Sequence, residues 1–202
     1  MTEQEILSIF KESEALLEGH FQLTSGRHSP QYFQCAKVLQ YLEYADAICS
    51  VIARRFAATE IDFVIAPAIG GIVVAQEVGN YLSRMQSGKR KRLRILFTER
   101  KDGKMQLRRG FEIEPGERAL VCEDVITTGG SVTEVIQIVE ERGGIIAGVG
   151  AIVDRSGGKV NFDNKLFAAV TMEVVSYAPA DCPLCKQSIP IDAPGSRAQF
   201  SK

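Results

Sequence analysis

Residues 119–131 read Ala-Leu-Val-Cys-Glu-Asp-Val-Ile-Thr-Thr-Gly-Gly-Ser, an apolar run that stops at two adjacent carboxylates and passes at once into small residues. A short apolar run bounded by turn residues is the pattern of a strand buried on both faces. Ser131 and Glu134 have the Ser-x-x-Glu spacing of a capping box, which predicts a helix opening at the end of the loop. The order of strand, acidic pair, loop and helix start is a βα unit, and it directs the chain toward a sheet with helical crossovers. A helix start presents free N–H groups and a positive dipole end, which suits a phosphate. The carboxylates suit ribose hydroxyls or a divalent cation instead. One loop carrying both chemistries predicts a phosphorylated sugar as ligand; an ordinary capped βα turn is the plainer alternative.

The rest of the chain repeats this alternation. Periodicity predicts helices over 1–18, 44–59, 72–82 and 132–142, the last closed by Gly143 and Gly144. Strands are predicted over 61–66, 93–98, 120–123, 145–153 and 166–171, with an irregular proline-containing tail from Pro179. The fold class is α/β, a mainly parallel sheet flanked by helices, whose ligands sit beyond the carboxyl ends of the strands. At 202 residues, 45% apolar and 24% charged, the composition is that of one globular domain. The expected division is an N-terminal helix and hood at about 1–40, an α/β core at about 41–175 and a tail at about 176–202.

Several classes are excluded or disfavoured. No apolar run approaches a membrane span, and residues 1–18 carry acids and lack a signal-peptide core. Five cysteines, an odd number, argue against a secreted disulfide framework and for the cytoplasm. There is no Walker A sequence and no Gly-x-Gly-x-x-Gly. The net charge of −1 does not favour a nucleic-acid partner. Charge is nonetheless uneven: residues 84–109 hold eleven of the 24 Lys and Arg, opposed only by Glu99 and Asp102. The run Lys89-Arg90-Lys91-Arg92 has no interleaved aromatics and reads as a solvated loop rather than a nucleic-acid patch.

Two other strand ends carry chemistry. After 61–66 comes Pro67-Ala68-Ile69-Gly70-Gly71, where two glycines let the backbone turn and expose N–H groups before a helix. A pyrophosphate could sit there, or the segment is a simple turn. After 93–98 comes a cationic, glycine-containing stretch, 99–110. It suits a mobile lid folding over a polyanion, and equally a solvated hairpin.

Taken together, these segments resemble the type I phosphoribosyltransferases, enzymes that use phosphoribosyl pyrophosphate (PRPP). The resemblance implies that Glu123 and Asp124 meet the ribose diol, and that Val125, Ile126, Thr127, Thr128, Gly129, Gly130 and Ser131 wrap the 5′-phosphate. Ile69 and Gly70 match the pyrophosphate loop, although the lysine frequent in that loop is absent. Arg100, Lys101 and Lys104 match the cationic lid, with Lys104, Glu123 and Asp124 the catalytic candidates. The histidine common in that lid is missing.

Substrate choice lies outside the PRPP machinery. Residues 21–33 contain Ser25-Gly26-Arg27-His28-Ser29-Pro30 followed by Tyr32 and Phe33, turn residues and then two aromatics able to flank a flat ring. At least one of the two is expected in the core. Arg155 ends an apolar strand and must find a partner, either a substrate carboxylate or an internal acid such as Asp154. The Ser-Gly-Arg-x-Ser-Pro segment resembles the hood of the orotate phosphoribosyltransferases, with Thr24 where a lysine is common, and the Asp154-Arg155 pair resembles their orotate contact. That resemblance implies orotate binding by Arg155, Thr127, Tyr32 and Phe33.

The reading is therefore an orotate phosphoribosyltransferase of de novo pyrimidine biosynthesis. The resemblance further implies PRPP as substrate with Mg2+ held mainly through it, and a cytoplasmic homodimer whose lid can serve the neighbouring subunit. A purine-salvage phosphoribosyltransferase and a non-catalytic PRPP-sensing regulator are the alternatives. No protein metal ligand is assigned. Cys182 and Cys185 form a Cys-x-x-Cys read as reduced surface thiols, or as half of a zinc site shared by two subunits, because Cys35, Cys49 and Cys122 have no matching spacing.

Overall fold

The computed structural model describes residues 1–23, 25–86, 92–173 and 175–193. Thr24 and the basic residues Lys89, Arg90 and Lys91 lie outside them. Among the described residues no helix is long and apolar enough to cross a membrane.

The core is a six-stranded sheet in the order β5-β4-β3-β6-β7-β8. The strands are β3 (Phe63–Pro67), β4 (Arg94–Lys101), β5 (Lys104–Leu107), β6 (Arg118–Ile126), β7 (Ile145–Asp154) and β8 (Leu166–Thr171). All neighbours are parallel except β4 and β5, which form an antiparallel hairpin. Alternation along each strand sorts side chains onto two faces. Val64, Ala66, Leu120 and Cys122 join the cluster that packs against α3 (Leu42–Arg55) and α4 (Gly70–Met85). Their neighbours Phe63, Ile65, Ala119 and Val121 join the opposite cluster, under α5 (Gly130–Glu140). Burial on both faces explains why β3 and β6 read as continuous apolar runs. Close helix approach needs missing side chains: a Cβ at Gly148 would lie 2.3 Å from the Phe56 ring, and one at Gly150 2.6 Å from Ile52.

Ahead of the sheet, α1 (Glu3–Glu12) is followed by the antiparallel hairpin β1 (Leu16–Gln22) and β2 (His28–Phe33). The short helix α2 (Ala36–Leu39) leads into α3. The expected helix over 1–18 is therefore too long. Thr2 and Glu5 form a reciprocal capping box, and Ser13 caps the other end. Glu14 then takes φ 51°, which no helix continues through. Leu16 and Leu17, which fitted a helical face, belong to β1. After β8 the chain is not wholly irregular. It makes a 3₁₀ turn over Pro179–Asp181 and the short helix α6 (Pro183–Lys186).

From β3 the chain continues to β4 on one side, and from β6 to β7 on the other. The strand order thus reverses between β3 and β6. Their carboxyl ends are where an open α/β sheet leaves a crevice.

Candidate active site

A cavity of about 570 Å³ opens at that reversal, lined by Tyr32, Phe33, Cys35, Arg100, Glu123, Asp124, Glu134, Arg155 and every residue of 125–132. β6 runs three residues beyond the expected end, so Glu123 and Asp124 lie within the strand and Val125 and Ile126 complete it. Glu123 is buried and Asp124 half-buried. The Asp124 N–H donates to Glu123 Oε1 at 3.1 Å, and the Val125 N–H donates to Asp124 Oδ1 at 2.9 Å. Burial pushes the Glu123 carboxyl well above the usual range, and the charge of Asp124 and a side-chain hydrogen bond with it push the same way. A carboxyl raised in this way holds its proton more tightly than a free one while no cation is near.

The loop beyond β6 differs from its expected form in a way that matters. Ser131 and Glu134 do not make a capping box. α5 opens two residues before the expected start, at Gly130, with Gly129 as N-cap at φ 77° and no side-chain hydrogen bond to the first turn. Glu134 instead accepts from Arg100 Nη2 at 2.6 Å. Gly129 wins because the turn needs a left-handed residue and has no room for a side chain: a Cβ there would meet the Phe162 ring at 2.9 Å. An uncapped first turn leaves its N–H donors for a ligand. Thr127 and Thr128 are exposed beside it.

On the β3 side, the Ala68–Ile69 peptide is cis and Ile69 is 83% exposed. Gly70 packs on the acid pair: a Cβ would fall 2.2 Å from Asp124 Oδ2. The pyrophosphate-loop candidates thus adjoin the acids without lining the cavity.

Arg155 reaches the cavity from the end of β7. Its Nε is buried and has no hydrogen-bond partner, and among the described residues no carboxylate pairs with it. The internal alternative fails because Asp154 is engaged elsewhere. Its Oδ1 accepts from the Ser156 N–H at 2.7 Å and its Oδ2 from the Gly158 N–H at 3.1 Å. Burial pulls the Arg155 pKa down, while Tyr32 and Cys35 oppose that shift. Tyr32, half-buried on β2, feels Arg155 and Asp124 in turn, but burial chiefly raises its phenol. Phe33 is the core member of the aromatic pair, edge-on to Phe10 at 4.6 Å, and still forms part of the cavity wall.

The cationic stretch is the β4–β5 hairpin, turned at Asp102 and Gly103. Arg100 lines the cavity; Lys101 and Lys104 pair with each other across the hairpin end, exposed and outside it. Arg109 makes a bidentate contact with Glu99 at 2.8 and 2.7 Å.

The family described as phosphoribosyl transferase domain matches residues 37–182. The chain belongs to the phosphoribosyltransferase family. It is 58% identical over 198 residues to the orotate phosphoribosyltransferase of Chlorobaculum parvum, covering 98% of each chain. It is 55% identical over 197 residues to that of Pelotomaculum thermopropionicum, covering 98% of this chain and 99% of the relative. The crystal structure of orotate phosphoribosyltransferase from Aeropyrum pernix superposes with a TM-score of 0.64 at 24% identity, covering 82% of this chain and 93% of that one. That likeness speaks to the α/β phosphoribosyltransferase fold.

Sequence reading missed Cys35 and Glu134 as cavity residues. Cys35 Sγ donates to the Asp124 carbonyl at 3.7 Å, a contact across 89 residues that no local pattern announces. The surface-thiol reading also needs correction: Cys185 is exposed but Cys182 is fully buried.

Proposed function

We propose that the protein transfers the ribose 5-phosphate of PRPP to orotate, giving orotidine 5′-monophosphate and pyrophosphate. One observation carries the choice of acceptor. Arg155 presents a buried, unpartnered guanidinium nitrogen to the cavity that also holds the acid pair and the uncapped helix start. A buried unpaired donor is costly, and a planar carboxylate satisfies it with two parallel hydrogen bonds. The names of the relatives at 50–58% identity point to the same acceptor.

In this reading the 5′-phosphate accepts from the N–H groups of 127–131, and Asp124 and Glu123 hold the ribose hydroxyls. Arg155 and Thr127 orient orotate under Tyr32 so that a ring nitrogen attacks the anomeric carbon as its bond to the pyrophosphate oxygen breaks. Positive charge grows on the ribose beside the two carboxyls, which favour it electrostatically. The oxygen-only donor set suits Mg2+, bound mainly through PRPP with Asp124 and Glu123 beside its diol, where it would neutralise pyrophosphate charge.

The lid belongs to this proposal too. Lys101 and Lys104 are exposed and do not line the cavity of their own chain, which fits a homodimer in which the hairpin serves the neighbouring subunit. Exposed Ile69 and Val73, one helical turn apart beside the site, offer apolar surface for that contact. In this reading the chain forms one phosphoribosyltransferase unit, with the β1–β2 hairpin as hood, and its five free cysteines fit the cytoplasm.

Orotate consumption with PRPP and Mg2+, with each omitted in turn, tests the reaction. Consumption should need all three, and adenine and hypoxanthine should not replace orotate. Turnover of a purine would favour the salvage alternative, and no PRPP-dependent loss of orotate would end the proposal.

A further inference from the structure

Outside the cavity, four soft donors converge. His20 and His28 come from the two strands of the hood, and Cys182 and Cys185 from the first residues of the C-terminal segment's helix. Their ligand atoms all lie within 4.8 Å of one another. None of the four lines the cavity. We propose that His20, His28, Cys182 and Cys185 form a tetrahedral Cys2His2 zinc site within one chain, clasping the C-terminal segment to the hood.

The distances are those of one coordination sphere. Zinc–sulfur bonds of about 2.3 Å and zinc–nitrogen bonds of about 2.0–2.1 Å at tetrahedral angles separate donors by about 3.3–3.8 Å. His20 Nε2 lies 3.1 Å from His28 Nδ1, 3.6 Å from Cys182 Sγ and 3.7 Å from Cys185 Sγ. His28 Nδ1 lies 3.2 Å from Cys185 Sγ. A two-iron cluster with the same ligand types would place histidines and cysteines on different metals, whereas here they touch. No carboxylate enters the group, which disfavours Mg2+ or Ca2+.

The surroundings are those of a ligand set held in place. His20 Nδ1 contacts the Ile189 carbonyl at 2.7 Å. A carbonyl can only accept, so Nδ1 carries the proton and Nε2 turns its lone pair toward the sulfurs. A histidine fixed through its other nitrogen by a backbone carbonyl is the usual second layer of a metal site. His20 also sits where the β1–β2 register shifts, between Glu18 and Phe21, an irregularity of the kind that re-aims a side chain. His20, His28 and Cys182 are buried, and Cys185 closes the site at the surface.

The backbone is arranged for a clasp. The Gln22 N–H donates to the Asp192 carbonyl and the Asp192 N–H to the His20 carbonyl, both at 2.8 Å. Tyr177 and His28 exchange a pair of backbone hydrogen bonds at 2.8 and 2.9 Å. A segment carrying two metal ligands is thus already laid along both hood strands. Binding of Zn2+ would release the two thiol protons to solvent and leave a neutral site. The inference does not depend on which acceptor the cavity takes.

The test uses full-length protein made without a polyhistidine tag and measures metal by mass spectrometry. One zinc per chain is expected, and Cys185→Ser and His28→Gln should each lower the content at least tenfold. Should those variants fail to fold, the wild-type chain still decides: after chelator stripping, one equivalent of Co2+ should give the visible spectrum of tetrahedral cobalt with thiolate ligands, displaced by Zn2+. Zinc should also slow proteolysis within 175–193. Folded, zinc-free protein that takes up no Co2+, or a Cys182–Cys185 disulfide in the protein as isolated, would overturn the assignment.

Discussion

Arg100 donates to Glu134 at 2.6 Å, tying the turn end of the β4–β5 hairpin to α5 just past its first turn. The same guanidinium donates to the Gly103 carbonyl, also at 2.6 Å. The cation that lines the cavity is thus held by an acid that would compete with a substrate anion for it. Both side chains are about one-third exposed, so the pair adds at most about 1 kcal/mol to stability. Glu134→Gln should leave Tm nearly unchanged and lower the PRPP KM severalfold, since it removes a negative charge beside the phosphate site. Arg100→Ala should raise that KM about tenfold or more. Steady-state kinetics at low and high salt decide the point; a raised PRPP KM in Glu134→Gln would contradict it.

Glu123 gives a pH-dependent signature. Its folded pKa lies above the ordinary value of 4.5, so the folded state binds this proton more tightly than the unfolded state. The group's contribution to stability is full below about pH 4.5 and is lost as pH rises toward the raised value. Glu123→Gln keeps the neutral shape. It should therefore match the wild type in acid and exceed it near neutrality by about 2–4 °C in Tm, the size of a ~1 kcal/mol gain in a chain this long. The variant should lose activity, as stabilising changes at functional sites do. Thermal melts of the unliganded protein from acid to neutral pH would show the two curves parting; a constant offset would refute this account.

The sheet was legible because β3, β6 and β7 are buried on both faces and must be apolar throughout, and because turn residues mark their carboxyl ends. The acid pair, the Thr127 to Ser131 loop and Arg155 all fell at such ends, and the structure brings them to one cavity. What failed was local competition. Leu16 and Leu17 satisfy helical and strand spacing alike, and only the left-handed turn at Glu14 separates them. Ser131 and Glu134 have capping-box spacing, yet Gly129 starts the helix two residues earlier. The meeting of His20 with Cys182 spans 162 residues and depends on the register of the hood, which no window of sequence encodes.

Gly129 should be intolerant of change for two separable reasons. Its φ of 77° strains any L side chain, and a Cβ would be crowded by the Phe162 ring at 2.9 Å and Val160 Cγ1 at 3.0 Å. Gly129→Ala should cost about 1–3 kcal/mol and displace the N–H donors of the loop. The PRPP KM should rise while the orotate KM changes little. Phe162→Ala, combined with Gly129→Ala, should recover the part of the steric loss due to the ring, leaving the Val160 contact and the backbone part, which melting of the two variants would reveal. Full recovery in the double variant would mean that backbone conformation contributes nothing.

Arg155 separates acceptor binding from the rest of the reaction. Its buried Nε has no protein partner, and Asp154 is committed to the N–H groups of Ser156 and Gly158. Removing the guanidinium therefore breaks no internal ion pair and relieves the cost of keeping a charge partly out of water. Arg155→Ala should hold or raise Tm in the absence of substrates. With orotate the loss is of a charge-assisted contact worth about 1.5–3 kcal/mol, which predicts an orotate KM about 10–100-fold higher. The PRPP KM should stay within about twofold, because the acid pair and the helix start are untouched. Arg155→Lys keeps the charge and loses the fork, so it should recover only part of the affinity. Calorimetric titration of both variants with orotate, in the presence and absence of PRPP, gives the decisive numbers; unchanged orotate affinity in Arg155→Ala would remove Arg155 from the acceptor site.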